Sequence, residues 1–573
     1  MLKIHRSAWG LTLVAAVLQV VIFPLPNLYC FSWVAVAPLL VAMLRARSPE
    51  TLQLQLNGND QTRLLPATPW QGFALGYACG ILWFAGTCYW IFDTMHRYGG
   101  LLLPAAALAL TLFCLYVGLY HGMFGLLLAL VADVSSNSGK PADSRAAIRR
   151  ALGAAPFLWV AVEFARTRIT GFPWELLGYS QTANFALTRI ATLTGVYGLS
   201  FEIALVNSVF AAAFLAPKQR RKWLLVAAVG AMIILQAGQL LTPPPVAADH
   251  AALLVQPNIP ILEGVMWTSE YFQDTLRELT AISLHSAEEG SAEEKPDSVK
   301  LDSEKPDAEK NHHHFDLIVW PESPAPFYTN DPLFRDAVSA MARQAGTWVV
   351  AGSIGITPAT HIGGASSAGE STGERSQIFN SAALVSPQGE WVGRYDKVHL
   401  VPFGEYLPFP QIFAFAGGLT KEVGEFQRGA LRTPLDIGGE RFGMFICYES
   451  IFPDEVRQGP LHGAQVLLNM SNDGWYGDSG AWKQHLQQTE MRAIENDRWL
   501  LAATNTGMTA SIDPYGRIVA ATPRKIRSVL LAPYALRAGT TVYTRHGDWF
   551  AYLCAIISAC VLLACFVFPD RAP

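Results

Sequence analysis

Charge is scarce in this chain. Asp, Glu, Lys and Arg make up 15% of its 573 residues, hydrophobic residues make up 51%, and the mean hydropathy is +0.24. Ordinary soluble domains carry about 25% charge, so the composition excludes a purely soluble protein. No stripe of Lys and Arg runs through the polar part and the net charge is −4, which excludes nucleic acid as a partner. Ionisable residues inside the apolar runs are few, chiefly Glu163 and Glu202, where a transporter or channel with a soluble receptor domain needs them for its pathway. Paired cysteine is missing as well. Cys30, Cys79, Cys88, Cys114, Cys554, Cys560 and Cys565 lie in or beside apolar runs, leaving Cys447 alone in the polar region. His312–His314 has no cysteine or acid nearby at ligand spacing, and no metal site is expected.

What is present is unevenly distributed. Apolar spans are expected at Trp9–Phe23, Phe31–Leu44, Trp70–Phe92, Leu101–Val131, Leu152–Ala165, Ile190–Leu215, Trp223–Leu241 and Trp549–Phe568. These read as eight transmembrane helices, although Phe31–Leu44 and Leu152–Ala165 fall short of the roughly 20 residues a crossing needs. Lys3 and Arg6 give the first span a signal-peptide look, but the spans that follow favour a retained anchor. The expected organisation is a seven-helix transmembrane domain over residues 1–242, a globular domain over 243–548, and an eighth helix with a short tail over 549–573. One set of connecting loops holds Lys3, Arg6, Arg45, Arg47, Arg63, Lys140, Arg145, Arg149, Arg150, Lys218, Arg220, Arg221 and Lys222; the opposite set holds only Arg97, Arg166, Arg168 and Arg189. Positive charge marks the cytoplasmic side. The amino terminus and the tail therefore belong inside, and residues 243–548 outside. Gly171–Tyr179, rich in aromatics, is expected at the interface beneath the outer domain.

Within the globular region, short apolar runs alternate with helical patterns. Strands are expected at Ala251–Val255, Phe315–Trp320, Thr347–Ala351 and Gln465–Met470, with a helix at Leu333–Ala345. Ser381–Ser386 and Glu390–Tyr395 flank the turn Pro387–Gly389, and Trp499–Thr504 and Thr509–Asp513 flank Asn505–Gly507. The class is α/β with sheets that are not purely parallel. Ser286–Asn311, polar and nearly free of large apolar residues, is expected to be a disordered surface insertion, and His361–Gln377 a flexible Gly/Ser-rich loop.

The run Arg441–Glu449 delivers Cys447 to the end of a buried strand. A lone thiol in an oxidising outer compartment more often does chemistry than packing. A nucleophilic cysteine needs a base, and acyl transfer needs a group to steady an oxyanion. Glu322, after the strand ending in Trp320, and Lys397, after the strand ending in Tyr395, are the candidates; sequence spacing does not bring them together.

Trp320–Glu322, Asp396–Tyr406 and Ile446–Glu449, in this order, resemble the motifs of the nitrilase (carbon-nitrogen hydrolase) superfamily. With seven spans before the domain and one after, the chain is similar to that superfamily's membrane-embedded branch, the apolipoprotein N-acyltransferases. Asn472–Gly477, Gln484-His485, Arg492–Glu495 and Asn505–Gly507 extend the similarity. The resemblance implies an αββα sandwich and a Glu322, Lys397, Cys447 triad working by a ping-pong mechanism. An acyl chain leaves the sn-1 position of a membrane phospholipid as a Cys447 thioester. It is then passed to the α-amine of the diacylglyceryl-cysteine of an apolipoprotein. Glu405 is implied as a supporting glutamate, Tyr448 and Glu449 as neighbours of the nucleophile, and Trp267 as a lid residue, though Ile261–Met266 before it is longer than the pattern. No cofactor is implied, and the location implied is the bacterial inner membrane, with the catalytic domain on the periplasmic face. A membrane-tethered amidase or nitrilase using the same triad is the alternative, and the many spans argue against it.

Overall fold

The computed structural model describes residues 4–47, 64–132, 144–261, 267–290, 315–357, 376–407, 426–430 and 433–567. His312–His314, most of His361–Gln377 and residues 262–266 lie outside the described residues.

Helices occur at each of the eight expected spans, but they are not equally able to cross a bilayer. Among the described residues four are long and apolar enough: Leu103–Val131, Val196–Leu215, Arg220–Leu240 and Trp549–Val567. A fifth candidate is the pair Pro69–Thr87 and Trp90–Tyr98, bent by 53° at its break. The span expected at Trp70–Phe92 is thus interrupted, because Cys88 already leaves helical backbone as the cap of the first piece. Ile190–Leu215 is interrupted too: Gly195 at φ 65° separates a short turn from the helix proper. Leu152–Ala165, short by sequence, belongs to a 22-residue helix that starts at Ser144 and runs through Pro156.

Glycine sets how closely two of these helices meet. A Cβ on Gly76 would lie 2.1 Å from the carbonyl oxygen of His121, and one on Gly72 would lie 2.3 Å from that of Gly125. Pro69–Thr87 and Leu103–Val131 therefore pack backbone against backbone, the arrangement small residues permit where lipid gives no hydrophobic drive.

Among the described residues the α/β part holds twelve strands in two six-stranded sheets. The first contains β1 (His250–Gln256), β2 (Leu317–Val319), β3 (Trp348–Thr357), β4 (Gln377–Val385), β5 (Trp391–Asp396) and β12 (Ser528–Tyr534), in the order β12-β1-β2-β3-β4-β5. The second contains β6 (Leu435–Ile437), β7 (Glu440–Ile446), β8 (Val466–Ser471), β9 (Leu500–Thr504), β10 (Ala510–Ile512) and β11 (Ile518–Ala521), in the order β11-β10-β9-β8-β7-β6. Each sheet has three parallel central strands, β1-β2-β3 and β7-β8-β9, flanked by antiparallel ones.

Strand alternation divides the side chains cleanly. Leu254, Val319, Val350 and Leu384 of the first sheet meet Met444, Ile446, Leu468 and Leu501 of the second. On the outer face of the first sheet, Leu253, Ile318 and Val349 pack under the helices Ser269–Gly290 and Pro332–Ala345. On the outer face of the second, Phe445, Leu467 and Ala502 pack with Ala493 of the helix Ala481–Asn496. This is the expected sandwich of two sheets between helical layers. Ser269–Gly290 and β12 were not foreseen, and the helix backbone continues to Gly290, inside the start of the expected Ser286–Asn311 insertion.

The two parts of the molecule share one apolar cluster. Tyr448, Ile451, Phe452 and Tyr476 pack with residues of the membrane-type helices, among them Phe84 and Trp159. Gly171–Tyr179, expected at the interface beneath the outer domain, lies largely buried in this seam, and the Trp174 Nε1 donates to Gln484 Oε1 at 2.8 Å.

Leu468 is fully buried between the sheets. Leu468→Ala is expected to lower stability by about 2–5 kcal/mol, read as a shift in the denaturation midpoint of the detergent-solubilised protein; a loss below about 1 kcal/mol contradicts this packing.

Candidate active site

In α/β architecture functional side chains collect where parallel strands end. Glu322 follows β2, Lys397 follows β5, Cys447 follows β7, Asn472 follows β8 and Asn505 follows β9. Because the sheets stack face to face, these ends converge.

The centre is an ammonium held between two carboxylates. Lys397 Nζ lies 3.1 Å from Glu322 Oε1 and 3.0 Å from Glu405 Oε1, and its side chain is 1% exposed. Asn380 in β4 donates from Nδ2 to both, at 2.8 Å to Glu322 Oε1 and 2.6 Å to Glu405 Oε1. Their remaining oxygens accept from backbone: Glu322 Oε2 from the Asn472 amide at 2.9 Å, and Glu405 Oε2 from the Val401 amide at 2.7 Å. Each carboxylate oxygen is thus paired, which buried charge requires. Burial alone would lower the Lys397 pKa, but Glu322, Glu405 and Cys447 outweigh it and hold the pKa well above the usual lysine range.

Cys447 directly follows β7 in the left-handed region, at φ 49°, a strain that concentrates at functional positions. Burial, then the charge of Glu322, push its thiol well above the ordinary range; Lys397 and a hydrogen bond to Ser471 pull the other way. Cys447 thus holds its proton more tightly than an ordinary thiol.

Glu449 does not enter this cluster. Its Oε1 accepts from the amides of Val398 and His399 at 2.7 and 3.0 Å, and its Oε2 from the Ile446 amide at 2.6 Å and the Tyr395 hydroxyl at 2.9 Å. It ties the segment after Lys397 to the strand carrying Cys447. Tyr448 packs against Phe452 and His399, at centroid distances of 5.3 and 6.1 Å, on the side of the helical part. Trp267 precedes the helix Ser269–Gly290, 4.7 Å from the Tyr271 ring and against the outer apolar layer of the first sheet. None of its described contacts reaches Glu322, Lys397 or Cys447.

Sequence reasoning missed Asn380, whose signal was a lone amide inside an apolar strand, and gave no role to the later motifs. Asn505 Nδ2 donates to Asn472 Oδ1 at 3.1 Å and to the Ile259 carbonyl at 2.8 Å, and its Oδ1 accepts from the Ile259 amide at 2.9 Å. It fastens the loop after β1 to the loop carrying Asn472. Gly507 lets the chain pass Asp473, where a Cβ would stand 2.3 Å from Asp473 Oδ2.

Residues 251–540 match the family model described as carbon-nitrogen hydrolase, and residues 15–209 match the apolipoprotein N-acyltransferase N-terminal domain. An apolipoprotein N-acyltransferase of Geobacter metallireducens is 33% identical, the alignment covering 98% of this chain and 96% of the relative. The chain belongs to the apolipoprotein N-acyltransferase family. Family members in Methylococcus capsulatus and Shewanella oneidensis are each 31% identical; the alignments cover 92% and 84% of this chain, and 92% and 83% of the relatives.

The raised thiol pKa has a testable sign. A proton held more tightly than in an ordinary thiol leaves little thiolate below pH 9. Alkylation of Cys447 by iodoacetamide, followed by peptide mass spectrometry, is expected to accelerate continuously through pH 9, and Glu322→Gln to move the profile to lower pH. A rate plateau below pH 8 in the unaltered protein contradicts this.

Proposed function

We propose that the protein transfers a fatty acyl chain from the sn-1 position of a membrane phospholipid to the α-amine of the diacylglyceryl-cysteine of apolipoproteins, with Glu322, Lys397 and Cys447 as its catalytic triad. Family membership supports the overall reaction. The observation carrying the site assignment is the buried Glu322–Lys397–Glu405 cluster set at the strand ends beside Cys447.

Glu322 takes the proton of the Cys447 thiol, and Sγ attacks the ester carbonyl carbon. The resulting oxyanion is stabilised by the Lys397 ammonium, a preorganised charge in a site that excludes water. Collapse expels the lysophospholipid alkoxide, which takes the proton from Glu322, and leaves a Cys447 thioester. The acceptor amine then attacks this thioester while Glu322 accepts an amine proton. Collapse forms the amide and expels the Cys447 thiolate, which recovers its proton from Glu322. Glu405 keeps Lys397 charged and directed. Glu449 and Tyr448 seat the nucleophile's turn, and Trp267 belongs to a lid over the acyl chain.

Both substrates are anchored in the bilayer, and drawing an acyl chain into water costs about 0.8 kcal/mol per methylene. An active site seated on membrane helices avoids that cost. The arrangement proposed is eight crossings, with residues 1–242 and 549–573 forming the membrane part and residues 243–548 on the periplasmic face of the bacterial inner membrane. The loop charges support this orientation, with thirteen Lys and Arg on one side and four on the other.

Intact mass after incubation with phospholipid alone tests the covalent step. A gain of one acyl mass is expected, labile to hydroxylamine, discharged by a diacylglyceryl-cysteine peptide, absent in Cys447→Ser and strongly reduced in Glu322→Gln. Equal label in Cys447→Ser would remove the thioester.

A further inference from the structure

The carbonyl side of the nucleophile's peptide faces a second polar network. His485 Nε2 lies 3.1 Å from the Cys447 carbonyl oxygen and 2.8 Å from Ser450 Oγ. On the other edge of the ring, His485 Nδ1 lies 3.2 Å from Asp473 Oδ1, which also accepts from Ser471 Oγ at 2.6 Å. Ser471 in turn hydrogen-bonds the Cys447 thiol. The network therefore starts at one end of the cysteine and returns to the other, and all four partners are buried.

The ring itself is tightly fixed. Its faces meet Trp174, stacked at 11° and 6.4 Å, and Tyr476 at 5.6 Å. Gly507 leaves room for Asp473. A carbonyl oxygen only accepts, so it is a ring N–H that meets the Cys447 carbonyl.

Resting on the acyl-transfer reading above, we infer that His485, oriented by Asp473, is a positioning residue that sets the Cys447–Tyr448 peptide plane for attack on the ester. A peptide group is planar, so fixing its carbonyl oxygen also fixes the direction of the Tyr448 N–H on the opposite edge. The same contact bears on a residue whose backbone is in the left-handed conformation. His485 does not touch substrate; it acts through the backbone of the nucleophile.

Two amides separate the two edges of the ring. The amide nitrogen of His485→Gln occupies the place of Nε2 and keeps a donor for the Cys447 carbonyl; that of His485→Asn occupies the place of Nδ1 and keeps only the Asp473 contact. With a dipalmitoyl glycerophospholipid in mixed micelles, thioester formation in a single turnover is read by intact mass, and Cys447 alkylation by iodoacetamide is read on the same samples. His485→Asn is expected to slow acylation about 100-fold, the scale of losing one preorganised donor. His485→Gln is expected to stay within about 10-fold of the unaltered protein, with alkylation within about threefold in both, because displacement at the small iodoacetamide carbon needs no oriented peptide. Equal slowing in the two variants overturns the inference, as does no slowing in either, or alkylation that falls in parallel with acylation. Failure of the unaltered protein to form any thioester overturns instead the acyl-transfer reading.

Discussion

The ammonium of Lys397, out of water and shared between two carboxylates, is the constraint on which the rest of the α/β part depends. Bringing three charges into a dry site is unfavourable unless the geometry is good and every remaining lone pair is satisfied, and removing one partner of such a cluster is strongly destabilising. Here the lone pairs are taken up by Asn380 and by the amides of Asn472 and Val401, so strands β2, β4 and β5 and the loop after β8 must all end at matching heights. The two-sheet core supplies that alignment. A slip of one residue in either sheet would turn a whole strand's apolar set outward and withdraw a partner from Lys397. Burial, and after it the charge of Glu322, hold the neighbouring Cys447 thiol above its ordinary range, while Lys397 pulls the other way. The cluster that holds the site together therefore also acts on the proton of the nucleophile.

How much of this was legible in the sequence depended on the range of the interactions involved. Glu322, Lys397 and Cys447 were readable because each sits at the end of a short apolar run, a local signal, and because the motifs around them occur in order. Asn380 was not, because its importance comes from two carboxylates 58 and 25 positions away. β12 was missed for a similar reason: its apolar run gains meaning only from pairing with β1, more than 270 residues earlier along the chain. For Trp267, which the family resemblance places on a lid, the described contacts are with Tyr271 and the outer core layer.

Among the described residues a helix occurs at each span that hydropathy picked out, but hydropathy misjudged continuity. A run such as Trp70–Phe92 is apolar throughout, so composition gives no sign that the helix breaks at Cys88 and resumes at an angle of 53°. The break also exposes backbone carbonyls. Backbone carbonyls freed at such a break need a partner when buried, and the partner here comes from the α/β part. Gln484 Nε2 donates to the carbonyls of Thr87 and Pro24, at 3.2 and 3.1 Å.

The same helix, Ala481–Asn496, meets the other irregular helix ends. Glu495 accepts from the Val196 amide at 2.9 Å, at the amino terminus of the helix that restarts after Gly195, where the helix dipole favours a negative charge. Arg492 reaches the hydroxyl of Tyr179 at 2.9 Å and lies 3.3 Å from Glu495. Polar residues fill the buried face of this helix because what they meet is unpaired backbone and hydroxyl groups, which an apolar face would leave unsatisfied at a cost of roughly 1–3 kcal/mol each. His485 follows Gln484 directly. The side chain that meets the Thr87 and Pro24 carbonyls and the ring beside the Cys447 carbonyl are adjacent residues of one helix, so this helix touches both the broken helical segments and the nucleophile's backbone.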